Sequence, residues 1–342
     1  MTNNLKETKR SLYESAISWG IVLLLIAAIA GYLGRDGLSP SNIPTVNDRE
    51  SKNQTSDSKK KSKREHDAIT FQGGKYEASG AISVPGTDGI LIVDDNNPSA
   101  VLWVRLDKSG KQIGSVQAVS LGTGIEDPEG ITSDGAYYYI VGSQSKSVAS
   151  GQPGIVRFAF DPRSQRVSDV AVALGLREFL FEKVPELRTA GAGEGGGLDI
   201  EGIGFDPQRR QLLLGLRSPE SGGQALVIPI KLRDSQGPFS TSNFEIGPSG
   251  VIRLPLGGQG IRDIQFDPRL NAFLIVSGAP RELKKTDFGI WEWDATNWSA
   301  QLRNRVIVDK DLQPEGITPA NIGGGAFIFV ACDQSKYLTL EY

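Results

Sequence analysis

The chain holds one cysteine, Cys332, and one histidine, His66, so any chemistry must come from carboxylates, hydroxyls, Arg, Lys and Tyr. A Ser-His-Asp triad and His-rich metal sites are excluded. So are an intrachain disulfide and a cysteine-based zinc centre. What remains is a set of acids that recur in similar surroundings. Asp127-Pro128-Glu129-Gly130-Ile131, Asp199-Ile200-Glu201-Gly202-Ile203, Ile261-Arg262-Asp263-Ile264 and Gln313-Pro314-Glu315-Gly316-Ile317 each place an acid just ahead of a short apolar run.

Brought to equivalent places, Glu129, Glu201, Asp263 and Glu315 would form a ring of four acids, with Ser79 in a fifth place. Like charges so arranged raise one another's pKa unless a cation or hydrogen-bond donors neutralise them. Oxygen-only ligands favour Ca²⁺ or Mg²⁺, which makes these four acids the candidate metal ligands and Ca²⁺ the candidate cofactor. Arg217 and Arg262 are candidates either for the counter-charge or for holding an anionic ligand. The plainer reading gives the acids a structural task, accepting hydrogen bonds from backbone N–H groups of the neighbouring repeat. Asp94-Asp95-Asn96 resembles a Ca²⁺ cluster but fits an Asx turn better.

The elements that must carry these residues are short strands. Past residue 68, apolar runs of five to seven residues alternate with turns, and 41 of the 342 residues are glycine, where about 7% is usual. Each acidic motif precedes a second strand (AYYYIVGS, QLLLGLRSP, AFLIVSGAP, AFIFVACD) and a third (GIVRFAFD, ALVIPIKL, GIWEWD, YLTLEY). The segment from Ala78 to Ala81, with DGILIVDD and AVLWVRLD, fits the same template. From Gly80 to Gly130, Gly202, Asp263 and Gly316 the spacings are 50, 72, 61 and 53 residues. Repeated units of three or four antiparallel strands predict an all-β propeller, with five recognisable blades and room for a sixth. The run AITFQ at 68–72 is placed to close the ring on the last blade. One short helix, interrupted by Pro185, is expected over 176–188.

The motifs ASGA, DPEGIT, LDIEGIGFDP with LLLGLRSP, GIRDIQFDP with FLIVSGAP, and the final PEGIT resemble those of the bacterial domain-of-unknown-function 3616 family. The resemblance covers about residue 75 to the C-terminus. It implies a propeller with an exported or surface role and no established reaction. Where the family often has Ser-His-Ser, this chain has Ser143-Gln144-Ser145, and Arg217-Ser218-Pro219 stands where Arg-Gly-Pro is common.

Ahead of the propeller the composition changes. Residues 1–66 carry 11 Lys+Arg against 7 Asp+Glu, and the remainder 26 against 33. An acidic folded part argues against nucleic acid as a partner. The uncharged run ISWGIVLLLIAAIAGYL has Trp19 and Tyr32 near its ends, as a membrane-spanning helix does. Residues 1–16 then read as a cytoplasmic N-terminus, 17–34 as a transmembrane anchor, 35–67 as a polar disordered linker and 68–342 as the propeller. Basic residues before the run place the N-terminus inside, and the propeller in the periplasm or outside the cell. A cleaved signal peptide, with Ala28-Ile29-Ala30 as its cleavage site, is the rival reading and also exports the domain.

Two functions fit. The first is a membrane-tethered extracytoplasmic binding module for a small ligand or a protein. The second is a divalent-cation-dependent hydrolase, phosphoesterase- or lactonase-like, with the carboxylate ring at the channel.

Overall fold

The computed structural model describes residues 68–145, 152–190, 197–280, 286–294 and 302–342. The expected anchor and linker lie outside the described residues. Among the described residues, no helix is long and apolar enough to cross a membrane.

Alternation of apolar residues with turn residues produces five antiparallel sheets. Blade 1 holds β2 (Ala78–Ser83), β3 (Gly89–Asp94), β4 (Ala100–Arg105) and β5 (Gln117–Ser120). Blade 2 holds β6 (Pro128–Ser133), β7 (Tyr138–Gly142), β8 (Pro153–Asp161) and β9 (Arg166–Leu174). Blade 3 holds β10 (Asp199–Asp206), β11 (Gln211–Ser218) and β12 (Ala225–Leu232), with β13 (Phe244–Ile246) and β14 (Ile252–Leu254) both paired to β12. Blade 4 holds β15 (Gly260–Asp267), β16 (Ala272–Gly278), β17 (Phe288–Asp294) and β18 (Leu302–Val308). Blade 5 holds β19 (Pro314–Ile322), β20 (Gly325–Cys332) and β21 (Lys336–Leu340), and its fourth strand is β1 (Ile69–Thr70). Ile69 pairs with Tyr337 and Thr70 with Lys336, so the start of the domain closes the ring, as the sequence predicts. There are five blades and no sixth among the described residues.

Inner strands β2, β6, β10, β15 and β19 pack on one another in cyclic order. A twisted four-stranded sheet cannot bury both faces alone, so the core lies between blades, in five clusters. The cluster between blades 2 and 3 is enlarged by α1 (Leu176–Lys183), which buries Leu176, Phe179 and Leu180. Pro185 ends α1, and α2 (Glu186–Ala190) follows.

Candidate functional site at the channel mouth

Every inner strand has a register irregularity near its start. In β6, Pro128 pairs with Gly142 and Gly130 with Val141, leaving Glu129 as an extra residue. The same pattern leaves Glu201 extra in β10, Arg262 in β15 and Glu315 in β19. In β2 the irregularity spans Ser79 and Gly80. Such bulges bend the strand and re-aim one side chain. The ring of equivalent positions is therefore Ser79, Glu129, Glu201, Arg262 and Glu315.

This corrects one expectation. Asp263 does not share a position with Glu129, Glu201 and Glu315; Arg262 does. Asp263 stands where the other blades have Gly80, Gly130, Gly202 and Gly316. A slip of one residue along extended backbone exchanges the two faces. Glycine is favoured at that second position because neighbouring inner strands nearly touch. A Cβ on Gly130 would lie 2.7 Å from the Glu201 carbonyl oxygen, and one on Gly316 would lie 2.4 Å from that of Ser79.

Asp263 is fully buried and performs the structural task described above. Its Oδ2 accepts the Ile317 N–H of the next blade at 2.8 Å, and its Oδ1 accepts the Ile264 N–H at 2.8 Å. Burial pushes its pKa well up, and the backbone donors oppose the shift. Two residues along, buried Gln265 reaches across the axis. Its Nε2 donates to the carbonyls of Ile131, at 2.7 Å, and Ile203, at 3.1 Å, while Thr132 Oγ1 donates to its Oε1. Blades 2, 3 and 4 are thereby tied together beneath the mouth.

Arg262 divides the charges above this plug. Its Nη1 donates to Glu201 Oε1 at 3.0 Å, its Nε lies 2.8 Å from Glu201 Oε2, and Nε and Nη2 both meet Glu315 Oε2. Burial works against its charge, but Glu201 and Glu315 outweigh burial and keep it firmly protonated. Arg217 adds a second donor to Glu201 Oε1 at 2.8 Å and stands 3.8 Å from Asp199 Oδ2. Both arginines, with Glu315, line a cavity of about 150 Å³ between blades 3, 4 and 5.

On the other side of the mouth acids gather with less compensation. Carboxylate oxygens of Glu129, Asp199 and Glu201 lie within 4.8 Å of one another, as do those of Asp95, Asp127 and Glu129. Glu129 belongs to both groups and receives no hydrogen bond from any described residue. Glu201 Oε2 is buried and accepts no hydrogen bond, although Arg262 Nε is within ion-pair distance. Ser79 Oγ donates to Asp95 Oδ1 at 2.9 Å, and Ser143 Oγ donates to Asp127 Oδ2 at 2.5 Å.

Burial, then the charges of Glu201 and Asp95, hold Glu129 well above the usual carboxylate range. Burial is also the main cause for Asp95, pushed up to about 7 against the Ser79 hydrogen bond, with help from Asp127. Glu315 is likewise raised to about 7, by burial first, with Arg262 opposing and Glu201 adding to the shift. Groups held this way favour a proton or a bound cation.

Sequence reasoning singled out Ser79, Glu129, Glu201, Glu315, Arg217 and Arg262, and the structure brings all six to the mouth. It leaves Asp127 and Asp199 out of the ring, and it weighs Asp95 as part of a Ca²⁺-like cluster but prefers an Asx turn. For two of these a signal existed: Asp127-Pro128-Glu129 and Asp199-Ile200-Glu201 share an Asp-x-Glu spacing, and residues two apart on a strand share a face. Asp94 makes the expected Asx turn, its Oδ1 accepting from the N–H groups of Glu77 and Asn96, which leaves Asp95 to face the mouth.

No curated protein matches the chain. Among solved structures it is similar to a Trichoderma reesei Carbohydrate-Active Enzymes Family AA12 protein, at 10% identity over 80% of this chain and 95% of that one, with a TM-score of 0.45. It is also similar to the PQQ domain of pyranose dehydrogenase from Coprinopsis cinerea, at 10% identity over 80% and 94%, with a TM-score of 0.45. Hydrazine synthase of Kuenenia stuttgartiensis gives 12% identity and a TM-score of 0.36, over 75% of this chain, which spans 61% of that one. Likeness at this level carries no functional argument. Closer to the sequence, residues 176–324, from α1 to the turn after β19, match the model of the family described as "Protein of unknown function (DUF3616)", the family its motifs resemble.

Proposed function

We propose that this chain is a binding module whose channel mouth holds a divalent cation, Ca²⁺ by its donor set, and through it an oxygen-rich ligand. The observation that carries this reading is the position of Glu129. It joins two groups of acids, Asp95 with Asp127 and Asp199 with Glu201, and receives no hydrogen bond from a described residue. All donors are carboxylate oxygens, the ligand type that hard cations prefer. Isothermal titration of the full chain with CaCl₂ at pH 7.5 tests it. Saturable binding that Glu129→Gln abolishes is expected, and no heat of binding up to millimolar Ca²⁺ would overturn it.

A second reading, the cation-dependent hydrolase, is supported by Glu315. With its pKa near neutrality and its place beside Arg217 and Arg262, it could pass a proton while the arginines hold an oxyanion. A panel of phosphoesters and lactones, assayed with Ca²⁺ and with chelator, separates the two. Turnover that requires Ca²⁺ and is lost in Glu315→Gln would replace the binding reading with the enzymatic one.

The same proposal sets the propeller outside the cytoplasm on a polar tether, supported by the apolar run at 17–33 and the basic residues before it. Retention in the membrane pellet after alkaline extraction is expected; release into the supernatant would contradict the anchor.

A further inference from the structure

A cavity of about 560 Å³ opens between blades 2 and 3, near the C-terminal ends of β6 and β10 and so at the opposite end of the channel from the acids. That volume falls in the range of small-molecule sites. The walls are largely aromatic and aliphatic, and Arg157 from β8 enters between two rings. Its guanidinium carbon lies 4.5 Å from the centre of the Tyr137 ring and 4.9 Å from that of Phe239. Stacking of this kind fixes the plane of the guanidinium while leaving its N–H edge free.

Of the other charges lining the cavity, Arg210 is exposed and the rest are paired. Arg209 meets Asp206 at 3.2 Å and Lys231 meets Glu245 at 3.1 Å. Asp134 takes the Tyr139 hydroxyl at 2.7 Å and the N–H groups of Ala136 and Tyr137. Arg157 is different. Its Nε is buried without an acceptor, and no carboxylate of the described residues lies within ion-pair distance. A guanidinium held without an anionic partner is costly, and a ligand that brings a negative charge to its N–H edge offsets that cost.

We propose that this cavity is a binding site for a small aromatic carboxylate. The carboxylate forks onto the N–H edge of Arg157, and the ring packs against the aromatic wall. A carboxylate is favoured over a phosphate because Arg157 is the one half-buried cation of the cavity without a partner, and it matches one negative charge, while Arg210 is exposed to solvent. The site is independent of the cation proposed at the mouth.

The test is titration of the full chain with 2-naphthoate, followed by fluorescence, beside 2-naphthol and 2-naphthyl phosphate. The naphthoate should saturate below about 1 mM, the range of a weak small-ligand site. Naphthol should bind at least tenfold more weakly, and Arg157→Met should weaken naphthoate binding by about tenfold. Arg157→Lys keeps the charge without the fork and should fall between; it serves as the variant if Arg157→Met does not fold. No saturation, equal binding of naphthol, or unchanged affinity in the variant would overturn the site. Tighter binding of the phosphate would overturn its assignment to carboxylates.

Discussion

Blade 4 and its neighbours solve the same crowding problem with opposite residue pairs. In blades 2, 3 and 5 the bulge carries Glu followed by Gly, so the acid faces the mouth and the glycine lets the backbones touch. Blade 4 carries Arg262 followed by Asp263, which sends a cation to the mouth and an acid against the next blade's backbone. A five-fold repeat of Glu would put five carboxylates around one axis. Replacing one by Arg pairs it with Glu201 and Glu315 and concentrates the uncompensated charge on blades 1 to 3. The asymmetry makes one half of the mouth structural and leaves the other half available.

The harshest way to break this comparison is to make blade 4 like the others. Arg262→Glu with Asp263→Gly should destabilise the chain by more than Arg262→Met alone. The single change leaves Glu315 without its cation and Glu201 with Arg217 alone, at a cost of about 3–5 kcal/mol. Urea midpoints measure both, and equal midpoints for wild type and the double variant would break the comparison. Next comes Asp263→Ala, which orphans the Ile317 and Ile264 N–H groups at about 1–3 kcal/mol each. Gly316→Ala should cost about 1–3 kcal/mol, because the added methyl meets the Ser79 carbonyl rather than a flexible side chain.

The smallest effect has the opposite sign. Glu129, Asp95 and Glu315 have pKa values above those of unfolded carboxylates, so the folded state binds more protons. For Asp95 and Glu315 that contribution is fully present below about pH 4 and is lost as pH rises through about 7, and Glu129 shifts in the same direction. In chelator, Glu129→Gln should therefore unfold at a higher temperature than wild type at pH 8 and at the same temperature at pH 4. A lower melting temperature at pH 8 would show that Glu129 is needed as an anion without a cation.

Much of this fold was legible because strand length, turn residues and the recurring acidic motif repeat at readable intervals. Even ring closure by residues 68–72 followed from the position of one short apolar run. The site was harder to read. Ile261-Arg262-Asp263-Ile264 looks like its counterparts when aligned on the acid, and only the bulge register shows that Arg262 holds the shared position. Asp95 was hidden for another reason: nothing in Asp94-Asp95-Asn96 tells which aspartate caps the turn and which turns to the channel. The unpaired Arg157 has no sequence signature at all, since its setting depends on Phe239, contributed by the next blade.

Diffraction from crystals of the full chain soaked in Mn²⁺, a hard cation with anomalous signal that can stand in for Ca²⁺, tests the division of the mouth most directly. The account predicts an anomalous peak at about 2.0–2.6 Å from a Glu129 carboxylate oxygen, on the side of Asp95, Asp127 and Asp199. A peak beside Glu315 and Arg262, or none at the mouth, would contradict it.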